Sequence, residues 1–342
     1  MTNPILSVLI DTFNHERYIE QAILSVLEQD FPSADSEIVV VDDGSTDHTP
    51  EIVRKFAPRV RLLSKKNGGQ ASAFNVAIPK LRGQVVAFLD GDDWFAQGKL
   101  TAVMNALQRN PEVAAVGHGY YDVNQATKEV RVCTPQQTKF LNLATPEAAR
   151  EAFLNWRFLL MGALTVRRKV LPQVVPIPEL LVFCADGPIV MAAMAMGVRV
   201  LQEPLFHYRH HSDNLYSIDP KNLTKLRQRH EMTEKTFQLL EPLLIRLGVG
   251  PDSVSAGLYP PWVEHSRLGL RALGGSRLQT FRTEMRSFRS ELKNPSIGYR
   301  LFKYLGVGAA TFLLPPRHFY KMRDWYGQHN LGRIREQFAR KR

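Results

Sequence analysis

The chain has 342 residues, 44% of them hydrophobic, and a net charge of +11. That apolar content excludes a disordered chain, and the length suits one large domain with an extension, or two domains. Two cysteines, Cys133 and Cys184, match no metal spacing and exclude a disulfide scaffold, so a reducing, cytoplasmic compartment is expected.

No signal-like leader precedes the first strand, and no uncharged apolar run reaches the roughly 18 residues of a membrane span. The run Ile5 to Ile10 predicts a strand, broken by Asp11-Thr-Phe-Asn14. Ile19, Ala22, Ile23, Val26 and Leu27 then recur at helical spacing. Glu37 to Val41 predicts a second strand, ending in Asp42-Asp-Gly-Ser-Thr-Asp47, and Pro50 opens a helix. Val60 to Leu63 is a short third strand, followed by Lys65-Lys-Asn-Gly-Gly-Gln70 and a helix from about Ala71. Val85 to Leu89 is the fourth strand and runs straight into Asp90, Asp92 and Asp93. A helix on Leu100, Val103, Met104 and Leu107 and a strand at Val113 to Val116 complete an alternation that predicts a mostly parallel, helix-covered α/β sheet.

Beyond Tyr121 the pattern loosens. Thr127 to Pro146 reads as a polar loop with weak strand signals, and Gly162 to Val166 as a strand. Asp186 stands before a helix, Val198 to Leu201 is another strand, and His207 to Asn214 follows as a histidine-rich stretch. From Lys221 onward helices dominate, with amphipathic stretches at Leu223 to Leu247 and Trp262 to Leu273.

The chemistry gathers at two strand ends. Parallel strands put Asp42, Asp43, Asp90 and Asp92 on one edge, where open α/β sheets bind ligands. Crowded carboxylates repel unless a cation joins them, and hard oxygen ligands suit Mg²⁺ or Mn²⁺, usually with a phosphorylated substrate. The plainer reading of each acidic end is a turn or helix cap, and Asp47 reads as a cap.

The segments Ser7-Val-Leu-Ile-Asp-Thr-Phe-Asn14, Val39-Val-Val-Asp-Asp-Gly-Ser-Thr-Asp47, Asn67-Gly-Gly69 and Phe88-Leu-Asp-Gly-Asp-Asp-Trp94 resemble glycosyltransferase family 2, the inverting group with the GT-A fold. The resemblance covers roughly residues 3 to 215. It implies a catalytic domain over 1–218, with a nucleotide-sugar half at 1–118 and an acceptor half at 119–218, and a helical, basic extension at 219–342. It further implies that Thr12, Phe13, Asn14, Asp42, Asp43, Gly44, Asn67, Gly69, Asp90 and Gly91 contact a nucleoside-diphosphate sugar, UDP-linked by preference. Asp90 and Asp92 match the family's Asp-x-Asp element; with His211 they would hold Mn²⁺ or Mg²⁺, Asp92 most directly. Asp93 and Arg209 would meet the sugar or a saccharide or lipid-linked acceptor; Trp94, next to the acids, reads as a platform for these or else as a core anchor. The chain departs from the family at Asp11, usually Pro, and at Phe74-Asn75, often Arg-Asn, so that a cation facing the diphosphate is either missing or supplied by Lys65 or Arg82.

Inversion needs a base for the acceptor hydroxyl. From its residues alone Asp186, before Gly187-Pro188, reads as a cap, whereas the resemblance implies that it is the base. Of the 42 residues from Leu301, nine are Lys or Arg and two are acidic, so this tail holds +7 of the charge. Interleaved aromatics within 297–342 suggest a helix lying on an anionic membrane surface or packed on the domain; no nucleic acid is expected. The rivals are a nucleotidyltransferase and an inactive membrane-associated scaffold of the same fold. A dehydrogenase and a P-loop enzyme lack their glycine motifs here.

Overall fold

The computed structural model describes residues 4–181, 185–211, 222–291 and 307–328. Apolar, β-branched runs make the central strands: β1 (Leu6–Thr12), β2 (Ser36–Asp42), β3 (Val60–Ser64) and β4 (Val85–Asp90). They pair in parallel in the order β3-β2-β1-β4. Helices α1 (Ile19–Leu27), α2 (Thr49–Arg54) and α3 (Gln70–Ala77) link them, as right-handed crossovers require.

The sheet continues through β9 (Thr165–Arg167), which is antiparallel to both β4 and β6 (Ala115–Asn124). Next comes β10 (Val198–His210), parallel to β6, with the two-residue β5 (Trp94–Phe95) antiparallel on it. β7 (Val130–Cys133) pairs with β6 and β8 (Lys139–Leu141) with β10. The segment expected to be a polar loop thus supplies two short edge strands. The strand expected at Gly162 to Val166 is shifted: Met161–Ala163 is a 3₁₀ turn, and Gly162 lets Phe206 pack so closely that a Cβ would lie 2.4 Å from its ring.

On one face, Leu6, Val8 and Ile10 of β1 and Ala87 and Leu89 of β4 pack with Ile19, Ile23 and Val26 of α1. Leu100, Val103 and Leu107 of α4 (Lys99–Arg109) join the same core. Side chains alternate along a strand, so Asp11 shares the other face with Ser7 and Leu9. α5 (Pro146–Leu154), capped by Thr145 Oγ1 on Ala148 N at 3.2 Å, and α6 (Gly187–Met196), almost entirely buried, complete this part.

The helices that follow are α7 (Leu223–Arg246), α8 (Pro251–Ala272), starting well before the expected Trp262, α9 (Arg277–Glu291) and α10 (Pro316–Gln328); residues 307–313 are helical too. The chain divides into two compact units. One comprises residues 1–217 and 235–257; the other comprises 218–234 and 258–342. Within the second, Phe319 and Tyr320 pack on Leu270 together with Val307, Ala310 and Leu314. There Glu284 accepts two bonds from Arg267 (2.9 and 2.8 Å), one from Arg323 (2.9 Å) and one from Tyr320 Oη (3.1 Å). Residues 297–306 and 329–342 of the predicted basic surface lie outside the described residues.

Candidate active site

Register builds the site. Thr12 lies opposite Asp42, and Asp11 opposite Asp90, so four polar residues form a row across the carboxyl ends of β1, β2 and β4. Asp42 Oδ1 accepts from Ser45 N at 3.1 Å, and Asp43 N donates to Thr12 O at 2.9 Å. The Asp43 carboxylate is spent inside the protein, accepting from Lys65 Nζ (2.5 Å), Gly68 N (3.1 Å) and Gly69 N (2.6 Å). It therefore latches the loop carrying Asn67 and Gly69 onto the end of β2. Gly44 sits at φ +79°, and a Cβ there would lie 2.6 Å from Asn67 N, which makes glycine the residue that fits this crossing.

Asn14, itself at φ 56°, accepts from Thr46 N through Oδ1 and donates its own N–H to Ser45 Oγ, both at 2.8 Å. It ties the turn after β1 to the turn after β2 and leaves Phe13 42% exposed between them. Asp47 accepts from Thr49 N at 3.0 Å as α2 begins. Gly91 donates to Asp11 O at 2.8 Å, and a Cβ there would meet Thr12 Oγ1 at 2.7 Å.

The acids of β1 and β4 are crowded. Gln70 Nε2 donates to Asp11 Oδ2 (3.0 Å) and to Asp90 Oδ1 (3.1 Å), while Asp11 Oδ1 is buried with no hydrogen-bond partner. Burial pushes Asp11 up to about 7, with the Gln70 bond pulling it down and the Asp92 charge adding to the rise. Burial also raises Asp90 well above the carboxylate range, reinforced by the charges of Asp11, Asp93, Asp92 and Asp186. Asp92 behaves oppositely. Burial again pushes it up, but the hydrogen bond from His211 Nε2 to its Oδ2, 3.0 Å long, and the nearby His15 hold it below its ordinary value. An ionised carboxylate beside an imidazole at that spacing is a two-ligand start for a divalent cation, and the buried acids around it repel one another until one binds. These residues fit Mn²⁺ or Mg²⁺, with phosphate oxygens filling the remaining positions.

Several of the expected site residues have partners within the protein. Asp93 is 1% exposed and its Oδ1 accepts from Arg209 N at 2.7 Å, so it fixes β10 to the acidic turn. Arg209 donates through Nε to Asp92 O (2.6 Å) and through Nη2 to Gln21 Oε1 (2.7 Å), and its guanidinium lies over Tyr18 and Trp94. Trp94, partly buried, is stacked on His207 at 4.5 Å, and His207 on Tyr121 at 4.5 Å, so Trp94 belongs to a packed column. Arg82, offered as a phosphate cation, bonds Glu37 at the opposite end of β2. Lys65 is at the correct edge but bonded to Asp43. Phe74 is buried against Phe88, and Asn75 pairs through both side-chain atoms with Ile177 N and O at 2.7 Å.

Asp186 precedes α6, yet its side chain makes no capping hydrogen bond. Burial pushes it up to about 6, moderated by its own and the Gly187 amides, and its charge is felt at Asp90. His15, Asp11, Gln70 and Tyr18 were absent from the sequence-derived site. His15 stands beside Thr12 at 3.3 Å, and Tyr18 lies against His211 at 4.8 Å. A histidine right after Asn14 was the one visible signal.

The family model described as glycosyl transferase family 2 matches residues 7–174. The uncharacterized glycosyltransferase alr2836 of Nostoc sp. (strain PCC 7120) is 32% identical over 252 residues, 72% of this chain and 77% of that protein. The chain belongs to glycosyltransferase family 2 and is a glycosyltransferase. Two solved structures share its GT-A-type fold. Staphylococcus aureus TarS 1-349 in complex with UDP-GlcNAc has a TM-score of 0.53 at 21% identity, over 82% of this chain and 87% of that one. The mannosyltransferase PcManGT from Pyrobaculum calidifontis in complex with GDP-Man and Mn²⁺ also has a TM-score of 0.53 at 21% identity, over 95% and 85%.

Proposed function

We propose that the protein transfers one sugar, with inversion, from a nucleoside diphosphate, UDP by preference, to a hydroxyl of a saccharide or lipid-linked saccharide. The observation that carries this reading is the Asp92–His211 pair on the same strand edge as Asp42 and within electrostatic reach of Asp186 through Asp90. Thr12, Phe13, Asn14 and Asp42 would hold the nucleoside, and the loop latched by Asp43 would present Asn67 and Gly69 to the donor. Asp92 and His211 would hold Mn²⁺ or Mg²⁺. The ion would draw charge off the departing diphosphate. Asp186 would take the acceptor hydroxyl proton as that oxygen forms its bond to the anomeric carbon. The bond to the diphosphate breaks and its electron pair leaves with the nucleotide. UDP-GlcNAc in TarS and GDP-Man with Mn²⁺ in PcManGT support the donor class and the metal.

The catalytic part would correspond to residues 1–218 and the basic extension to 219–342. Among the described residues no helix is long and apolar enough to cross a membrane. Exposed Phe312 and Leu313, with exposed Arg317, Lys321 and Arg323, support contact of the extension with the anionic inner face of a membrane.

Calorimetry with UDP, GDP and dTDP, with and without Mn²⁺, tests the donor reading on wild type and Asp92→Ala. UDP is expected to bind only with Mn²⁺ and to lose that binding in the variant. Folded wild-type protein that binds none of the three nucleotides would overturn it.

A further inference from the structure

A second convergence of ligand-type side chains uses none of the residues above. His230 and Glu234 are four residues apart on α7 and so stack on one face of the helix; His265 comes from α8. One ligand atom from each of the three lies within 4.8 Å of the others. The imidazoles of His230 and His265 are stacked at 4.2 Å with 13° between their planes. His230 Nδ1 is buried and has no hydrogen-bond partner, which costs free energy that apolar packing alone would avoid. Space is made for that ring: at Gly269, one turn beyond His265, a Cβ would lie 2.6 Å from His230 Cε1. Glu234 is exposed, so the cluster opens to solvent on its carboxylate side.

We propose that His230, Glu234 and His265 form a Zn²⁺ site that ties α7 to α8. Two imidazoles and one carboxylate suit this borderline ion, whereas Mg²⁺ and Ca²⁺ prefer oxygen donors throughout. Three protein ligands leave the fourth tetrahedral position for water on the open side. Bonds of about 2.0–2.2 Å require the ligand atoms to draw together by roughly 1 Å. With only 13° between the stacked ring planes their in-plane lone pairs do not converge on one point, so one imidazole turns about its side-chain bonds and the exposed Glu234 carboxylate swings in to close the site. The ion would satisfy the buried nitrogen of His230 and staple two long helices that the ring pair also joins by stacking.

The test uses full-length, tag-free protein stripped with chelator and titrated with Zn²⁺ alone, in the Asp92→Ala background so that the sheet-edge acids do not bind it. About one equivalent of zinc by mass spectrometry, a raised thermal midpoint, and a visible tetrahedral spectrum on substitution by Co²⁺ are expected. Glu234→Gln changes an exposed side chain, so its circular dichroism should match the parent while zinc affinity falls at least tenfold. Failure of the stripped parent to take up zinc, or unaltered affinity in Glu234→Gln, would overturn the proposal and leave the histidines a packing pair.

Discussion

Asp92 follows β4 and Asp186 precedes α6, both acting on Asp90, yet their surroundings move them in opposite directions. Asp92 has imidazoles beside it and stays ionised; Asp186, moderated only by backbone amides, is pushed up to about 6. As a base Asp186 must be ionised, so kcat/KM should rise with pH along an acidic limb whose midpoint is near about 6, the value of the free enzyme. Asp186→Asn should lower kcat by about 10²–10⁴-fold and leave nucleotide affinity within about twofold by calorimetry. Unchanged kcat would remove the base assignment. The same shift has a thermodynamic side. The folded chain holds this proton up to about 6, the unfolded chain only to 3.8, so Asp186 costs stability as pH climbs through that window. Asp11, up to about 7, acts in the same direction. Asp11→Asn should therefore stabilise the metal-free protein at pH 8 more than at pH 4, measured as the difference in urea midpoint.

At the scale of elements, what could be read from sequence was what depends on local pattern. β1, β2 and β4 are unbroken apolar runs ending in acids, and their register follows once they are parallel. β10 was legible only as far as Leu201, because Gln202-Glu203-Pro204 reads as a break; the structure carries the strand through with shifts of register around Pro204. That extension delivers Arg209 and His211 to the acids, a long-range fact no local pattern contains. Likewise Asp90, Asp92 and Asp93 look alike in sequence. Their distinct roles arise from Gln70, His211 and Arg209, which come from elsewhere in the chain. The departure at Phe74 has a packing answer, since its ring is buried against Phe88, while Asn75 beside it serves the Ile177 backbone as a surrogate strand neighbour. Asn75→Ala should strand two backbone groups and lower the unfolding free energy by about 2 kcal/mol, read from the urea midpoint at unchanged m.

The whole molecule is basic, with a net charge of +11, while the strand edge that would receive the donor is lined with acids. Screening confines the influence of exposed charges to about 8 Å in physiological salt, so these two fields act at different ranges. A diphosphate approaching the protein is drawn in by the general positive charge and then meets carboxylates at close quarters. On the proposed reading the acidic edge would work as a gate keyed to cation charge, closed to a bare anion and open to one that arrives with a divalent ion or finds one in place. Order of arrival would then be built into the charge distribution: the ion would come before the sugar nucleotide or together with it, and a free diphosphate left after transfer would have a reason to depart once its ion does.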